Sequence, residues 1–280
     1  MPGQDLSLFG FLEEAEAMQY VDTYCILEDG TDRRQMWLDA QGRLGERIAR
    51  AGKPEIRDIP KGYKNHLQRV TKTERFQDTV KSISWDFKLV EIDPLLAFQI
   101  HIEGARSEAL GMALPADCGV NHLMPRCLPD RAERIEIHPT ETDHSISLEA
   151  PTRNLLFLRG GYQPQADQDQ FFVGAFIGSA TPFVQVIRFG GRCYLTNGFH
   201  RLLSARRKGA MFAPCILGTT ENFARTGAEQ TGSLARTLLE GDNPPTVGHY
   251  TQGRATEIRL RRFATKITVT WDVSFPEIHD

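Results

Sequence analysis

Residues 182–217, PFVQVIRFGGRCYLTNGFHRLLSARRKGAMFAPCIL, leave the chain few ways to fold. Val184 and Val186 alternate in a first strand and Cys193 and Leu195 in a second, with Gly190-Gly191 as the tight turn between them. A helix from His200 to Lys208 ends at Gly209, a residue that tolerates left-handed backbone, and APCILG reads as a third short strand. Strand, turn, strand, helix, strand is an α/β pattern. It poses one question: why do a histidine and an arginine stand side by side where the helix opens?

The flanking regions differ in texture. Residues 1–82 read as a polar, helical N-terminal region. Leu8, Phe9, Leu12, Ala15 and Met18 lie at helical spacing. A second helix starts after Thr31 or Asp32 and runs through Trp37, Leu38, Leu44 and Ile48 to Gly52, and a third places Phe76, Val80 and Ile83 on one face. Such helices pack on a main domain or offer a surface to a protein partner. Residues 83–225 form the core region, with FKLVEIDPLLAFQIHIEG rich in strand residues. RIEIH, SISLEA and NLLFLRG predict a three-strand meander with turns at PTETDH and PTR, and DQFFVGAFIG predicts a helix. Residues 226–254 read as a loose linker before two last strands, TEIRLRRF and KITVTWDVSF; in the latter Ile267, Val269, Trp271, Val273 and Phe275 alternate.

The start of a helix leaves backbone N–H groups unpaired and carries partial positive charge, so it seats phosphates and carboxylates. Gly198 has no Cβ to hold a ligand away, Arg201 offers a planar fork to phosphate oxygens, His200 can donate a hydrogen bond or move a proton, and Asn197 can cap the helix or touch the ligand. The plain alternative is equally readable: Asn197 caps, Gly198 turns, and His200 and Arg201 are solvated. Against it, two potential cations in the first turn oppose the helix dipole by about 0.3–1 kcal/mol each, which suggests a counter-anion.

In these residues the chain resembles the ParB/sulfiredoxin superfamily. Pro182, Asn197-Gly198-Phe199-His200-Arg201, Ala205, Gly209 and Pro214 match its strand–turn–helix–strand core over residues 182–217, and FKLVEIDPLL at 87–96 resembles its first strand. The resemblance implies an α/β (α+β) fold: a ParB/sulfiredoxin-like core with N-terminal helices and a β-rich insertion at about 97–170. It also implies a nucleotide, ATP or CTP with Mg²⁺. Asn197, Gly198, Phe199, His200 and Arg201 would surround the phosphates, and His200 and Arg201 would act in NTP hydrolysis or phosphoryl transfer to a small molecule or protein. Departures restrict this. Phe199 stands where sulfiredoxins have their catalytic cysteine, which excludes sulfinic acid reduction there. Asn197 replaces the aspartate of the serine-kinase type, and residues 218–280 carry no helix-turn-helix of the partition clamps. A non-catalytic binding module acting through protein partners or nucleic acid is the alternative.

Other residues carry weaker signals. Glu91 and Asp93 repeat at strand spacing and point the same way, a pair that can hold Mg²⁺ beside phosphates, although Asp93 before Pro94 also reads as a turn residue. Cys118, His122 and Cys127, with His101 or His138 as a fourth ligand, allow zinc, with ordinary loop cysteines as the default. Arg259 and Arg261 share a strand face that can meet nucleic acid or protect a sheet edge. The net charge of −3 gives no global field toward nucleic acid. Five scattered cysteines suit reduced thiols rather than a disulfide framework. Neither a basic leader nor a long apolar run is seen, so the expectation is a cytoplasmic protein with no membrane partner.

Overall fold

The computed structural model describes residues 4–81, 83–131, 138–150, 155–164, 171–179, 182–229 and 232–271. They fall into two compact units, residues 1–132 with 182–261 and residues 133–181 with 262–280.

Along the chain come Asp5–Ser7 (β1), Glu14–Tyr24 (α1), Arg33–Leu44 (α2), Ile56–Asp58 (β2), Lys64–Thr71 (α3), Glu74–Val80 (α4), Ser84–Glu91 (β3), His101–Ile102 (β4), Gly104–Met112 (α5) and Val120–Cys127 (α6). Residues 133–181 hold His138–Thr142 (β5), Ser145–Ala150 (β6), Leu155–Pro164 (β7) and Phe171–Ser179 (β8). Then follow Gln185–Phe189 (β9), Arg192–Asn197 (β10), Phe199–Arg207 (α7), Phe212–Thr219 (β11), Arg236–Glu240 (α8), Val247–Thr251 (α9), Thr256–Ile258 (β12) and Thr265–Thr270 (β13).

The first unit is mixed α/β, and its central sheet runs β10-β9-β11-β3-β2 among the described residues. The predicted hairpin forms β9 and β10 across Gly190-Gly191, whose φ angles of 55° and 73° suit glycine. Helix α7 then carries the chain over to β11, which pairs parallel to β9 on one side and antiparallel to all of β3 on the other. Cys193, Tyr194 and Leu195 are all buried, so β10 is covered on both faces. Phe189 and Phe223 pack on Tyr194, with the Arg236 guanidinium 4.3 Å above the Phe223 ring.

Helices α1 and α2 share this core, Phe9, Val21 and Trp37 belonging to one apolar cluster with Leu195 and Leu202, while Val70 of α3 and Phe76 and Val80 of α4 join a second cluster with Met124, Phe183 and Ile216. Leu8, Phe9 and Leu12 are buried as their spacing suggested, yet the helix starts only at Glu14. Residues 5–8 are drawn into strand pairing instead, Leu6 opposite Ile102 and the Leu8 N–H donating to the Ile100 carbonyl. Asp32 caps α2 as expected, accepting from the Arg34 and Gln35 N–H groups, but that helix stops at Leu44 rather than Gly52. In α4, Phe76 and Val80 point inward.

Residues 97–127 also belong to the first unit, so the stretch at about 97–170 expected as one insertion is divided between the two units. Ala97, Phe98, Ile100 and Ile102 are buried there, and α5 lies along α7. Nor is 226–254 a loose linker. Its Pro and Gly suggested one, but residues 244–250 are continuously buried, and their backbone bonds to the 93–97 loop: Val247 N–H to Leu95 O, Gly248 N–H to Asp93 O, and Ala97 N–H to Pro245 O.

In the second unit β5 pairs antiparallel with β6, β6 with β13, and β7 with β8. The meander is therefore only partial, and part of the PTETDH turn is strand β5. The segment FFVGAFIGS is a strand, not the expected helix, with Tyr162 opposite Val173. Its aromatic and β-branched residues favour a pleated surface once a partner strand is available. Residues 134–137 of RIEIH, together with Val273 and Phe275, lie outside the described residues.

Candidate functional site

At the corner between β10 and α7, Gly198 adopts φ 109° and ψ 14°, and its carbonyl accepts the Leu202 N–H as the helix begins. The missing Cβ is needed for packing: one built there would lie 2.8 Å from Val184 Cγ2. The face expected to admit a ligand is therefore filled by Val184. Phe199 is buried edge-on against Phe98, 5.6 Å between ring centres. Asn197 pairs with Gln185 at an irregularity in the hairpin.

His200 and Arg201 each bond to different stretches of the protein's own backbone. His200 Nε2 accepts the N–H of Glu103, the residue just before α5, at 3.2 Å. Burial, reinforced by the positive charges of Arg106, His101 and Arg201, pulls the His200 pKa down to about 3. It stays a neutral acceptor near neutral pH. The Arg201 guanidinium donates to the carbonyls of Arg126 near the end of α6 (3.1 Å), of Phe183 (3.4 Å) and of Pro182. The negative end of a neighbouring helix thus supplies the counter-charge that the sequence pattern suggests for a ligand. Arg192, Arg254 and Arg126 repeat the device, donating to carbonyls at the ends of α8, α2 and α5 respectively.

A consequence can be read by NMR. The His200 ring is expected to show no titration between pH 8 and 5, where an ordinary histidine shifts near 6.5. Since the unfolded chain binds that proton below about 6.5 and the folded chain does not, His200 costs stability progressively as pH falls from 6.5 toward 3. A midpoint near 6.5 would mean that the ring is solvated and open to ligand.

The carboxylates have partners of their own. Glu91 accepts from the Arg50 guanidinium and, at 2.9 Å, from the Glu55 N–H. Asp93 accepts from Arg206 Nε (3.1 Å), Thr251 Oγ1 (2.7 Å) and Gln252 Nε2 (3.4 Å), which ties α7 to α9. This extends the turn role expected for Asp93; the two carboxylates do not share one environment.

Among the described residues no group of three or more His, Cys, Asp or Glu is arranged to hold a metal. Burial raises the Cys118 thiol and pushes Cys127 up to about 12. His122 lies beside Asn121, 3.4 Å away. Around the C-terminal arginines, residues 259–261 lie along 24–26: Ile26 N–H donates to Arg259 O, Arg261 N–H to Tyr24 O, and Arg261 Nε to Cys25 O. That stretch is thus paired with chain, while Arg259 and Arg261 both remain exposed.

No family model, curated protein or solved structure matches this chain. Among the described residues no helix is long and apolar enough to cross a membrane.

What sequence reasoning missed is the acceptor side of the corner. Arg126, Pro182 and Phe183 contribute carbonyls, which carry no residue-specific signal.

Proposed function

We propose that this chain is a ParB/sulfiredoxin-type binding module that seats a nucleotide's phosphates without transferring them. The element order supports the core assignment: a strand pair, a helix that stops before Gly209 and a strand through Pro214 are the parts the resemblance calls for. That last strand pairs with β3, which includes part of the 87–96 segment likened to the core's first strand. One observation favours binding over catalysis. Every side chain expected to do chemistry, His200, Arg201, Glu91 and Asp93, is already bonded to the protein's own backbone or counter-charges. Phosphoryl transfer depends on charged groups and Mg²⁺ gathered on the transferring phosphate, and these groups are dispersed. With the Gly198 face filled by Val184, the seat left to an anion is the amides of the first turn of α7, where helix geometry provides no intrahelical acceptor.

The test is a thermal-shift titration of the intact chain with ATP, ADP, CTP and GTP in Mg²⁺, paired with a phosphate-release assay. The expected result is an upward shift with at least one nucleotide, worth about 2.7 kcal/mol at a hundredfold excess over Kd, and no release above background. Sustained turnover would overturn the non-catalytic reading. No shift with any nucleotide would remove the ligand and leave a module acting through protein partners or nucleic acid. Salt-sensitive retention of DNA or RNA, lost on substituting Arg259 and Arg261 by alanine, would identify the latter.

A further inference from the structure

His249 is a buried histidine that the proposed binding role does not use. It lies on α9, fully buried. Its Nδ1 accepts the Thr246 N–H at 3.1 Å and lies 3.0 Å from the Thr246 hydroxyl, while the Thr246 side chain caps the same turn in return. A nitrogen that accepts an N–H carries no proton, so the ring's proton sits on Nε2. That atom is buried with no hydrogen-bond partner among the described residues, and the ring meets Phe11 edge-on, 5.1 Å between centres.

A second proton is held poorly where the ring sits. On Nδ1 it would oppose the Thr246 N–H and have only the Thr246 hydroxyl oxygen, already capping the turn, to receive it, and among the described residues Nε2 has no acceptor to spread the charge. The nearby charges do not help. Arg254, whose N–H donates to the His249 carbonyl, is positive. Asp93, on the loop beneath α9, is engaged by Arg206 of α7 and by Thr251 and Gln252. Phe11, from the turn at Phe9–Phe11, is apolar. Protonation therefore requires the ring to leave, and with it the capping box that starts α9.

We propose that His249 is an acid-operated latch whose protonation releases the 245–252 segment from the 93–99 loop before the rest of the first unit opens. The bonds at stake are Val247 N–H to Leu95 O, Gly248 N–H to Asp93 O, Ala97 N–H to Pro245 O and Tyr250 hydroxyl to Gln99 O. Leu96 also exchanges backbone bonds with Cys193 and Leu195. Opening α9 thus loosens the cover on the outer edge of β10, the strand that leads into the Gly198 corner. Burial and Arg254 hold the ring's folded pKa down at about 4, against 6.5 when open. Between those values the opening constant rises as pH falls, by up to about tenfold per unit.

Hydrogen exchange followed by mass spectrometry between pH 7 and 4.5, corrected for intrinsic exchange, tests this on the intact chain. Peptides covering 94–98 and 245–252 are expected to lose protection by up to about 100-fold from pH 6.5 to 4.5, ahead of peptides from β3 and β11. In His249→Gln, which cannot take the proton, protection of the same peptides is expected to vary little across that range. Uniform loss across the unit, pH-independent protection in the wild type, or an unchanged pH profile in His249→Gln would each overturn the latch. If the variant does not fold, the wild-type comparison between peptides decides alone. The result does not depend on nucleotide binding.

Discussion

Arg201→Ala is expected to destabilise the first unit by about 3–5 kcal/mol, since a hydrogen bond from a charged donor contributes about 1.5–3 kcal/mol and three acceptors are left without it. The guanidinium joins the end of α6 and the chain entering β9 to α7, three segments far apart in sequence. Arg201→Lys is expected to recover only part of the loss, because an ammonium cannot span the same fork. Urea unfolding measures both. A phosphate-binding role for the side chain makes the opposite forecast: Arg201→Ala would unfold with wild-type stability and lose its nucleotide shift. Stability within about 0.5 kcal/mol of wild type would therefore sink the internal-clamp reading.

Gly198→Ala carries a comparable penalty for different reasons. Left-handed backbone costs a residue with a Cβ about 1–2 kcal/mol. Here that Cβ would also stand 2.8 Å from Val184 Cγ2 and 3.3 Å from Val184 Cα, and such overpacking adds about 1–3 kcal/mol. The expected total is about 3 kcal/mol, read as a drop in the denaturant midpoint. Val184→Ala removes the closest atom, so the glycine substitution should cost about 1 kcal/mol less in that background. Equal costs in both backgrounds would mean that backbone conformation alone explains the loss and that Val184 yields freely.

Legibility followed the range over which each signal acts. The hairpin, α7, β11 and the cap at Asp32 depend on neighbours within a few residues, and they form where the sequence placed them. Distant partners redirected other segments. The apolar spacing of Leu8, Phe9 and Leu12 suits a helix, but pairing with 100–102 pulls residues 5–8 into a strand. FFVGAFIGS joins β7, and the Pro- and Gly-rich 244–250 stretch becomes part of the core because the 93–97 loop accepts its backbone.

The opening of α7 marks the same boundary. Sequence alone determined that a glycine turn, a histidine and an arginine would meet at a helix start, because spacing and turn chemistry are local. It could not determine what they face. Whether a cation there meets a ligand or the end of another helix depends on where α5 and α6 pack, and only the tertiary structure decided that Glu103, Arg126, Pro182 and Phe183 supply the partners. Backbone groups are the same at every residue, so no side-chain pattern reveals which of them an arginine will find.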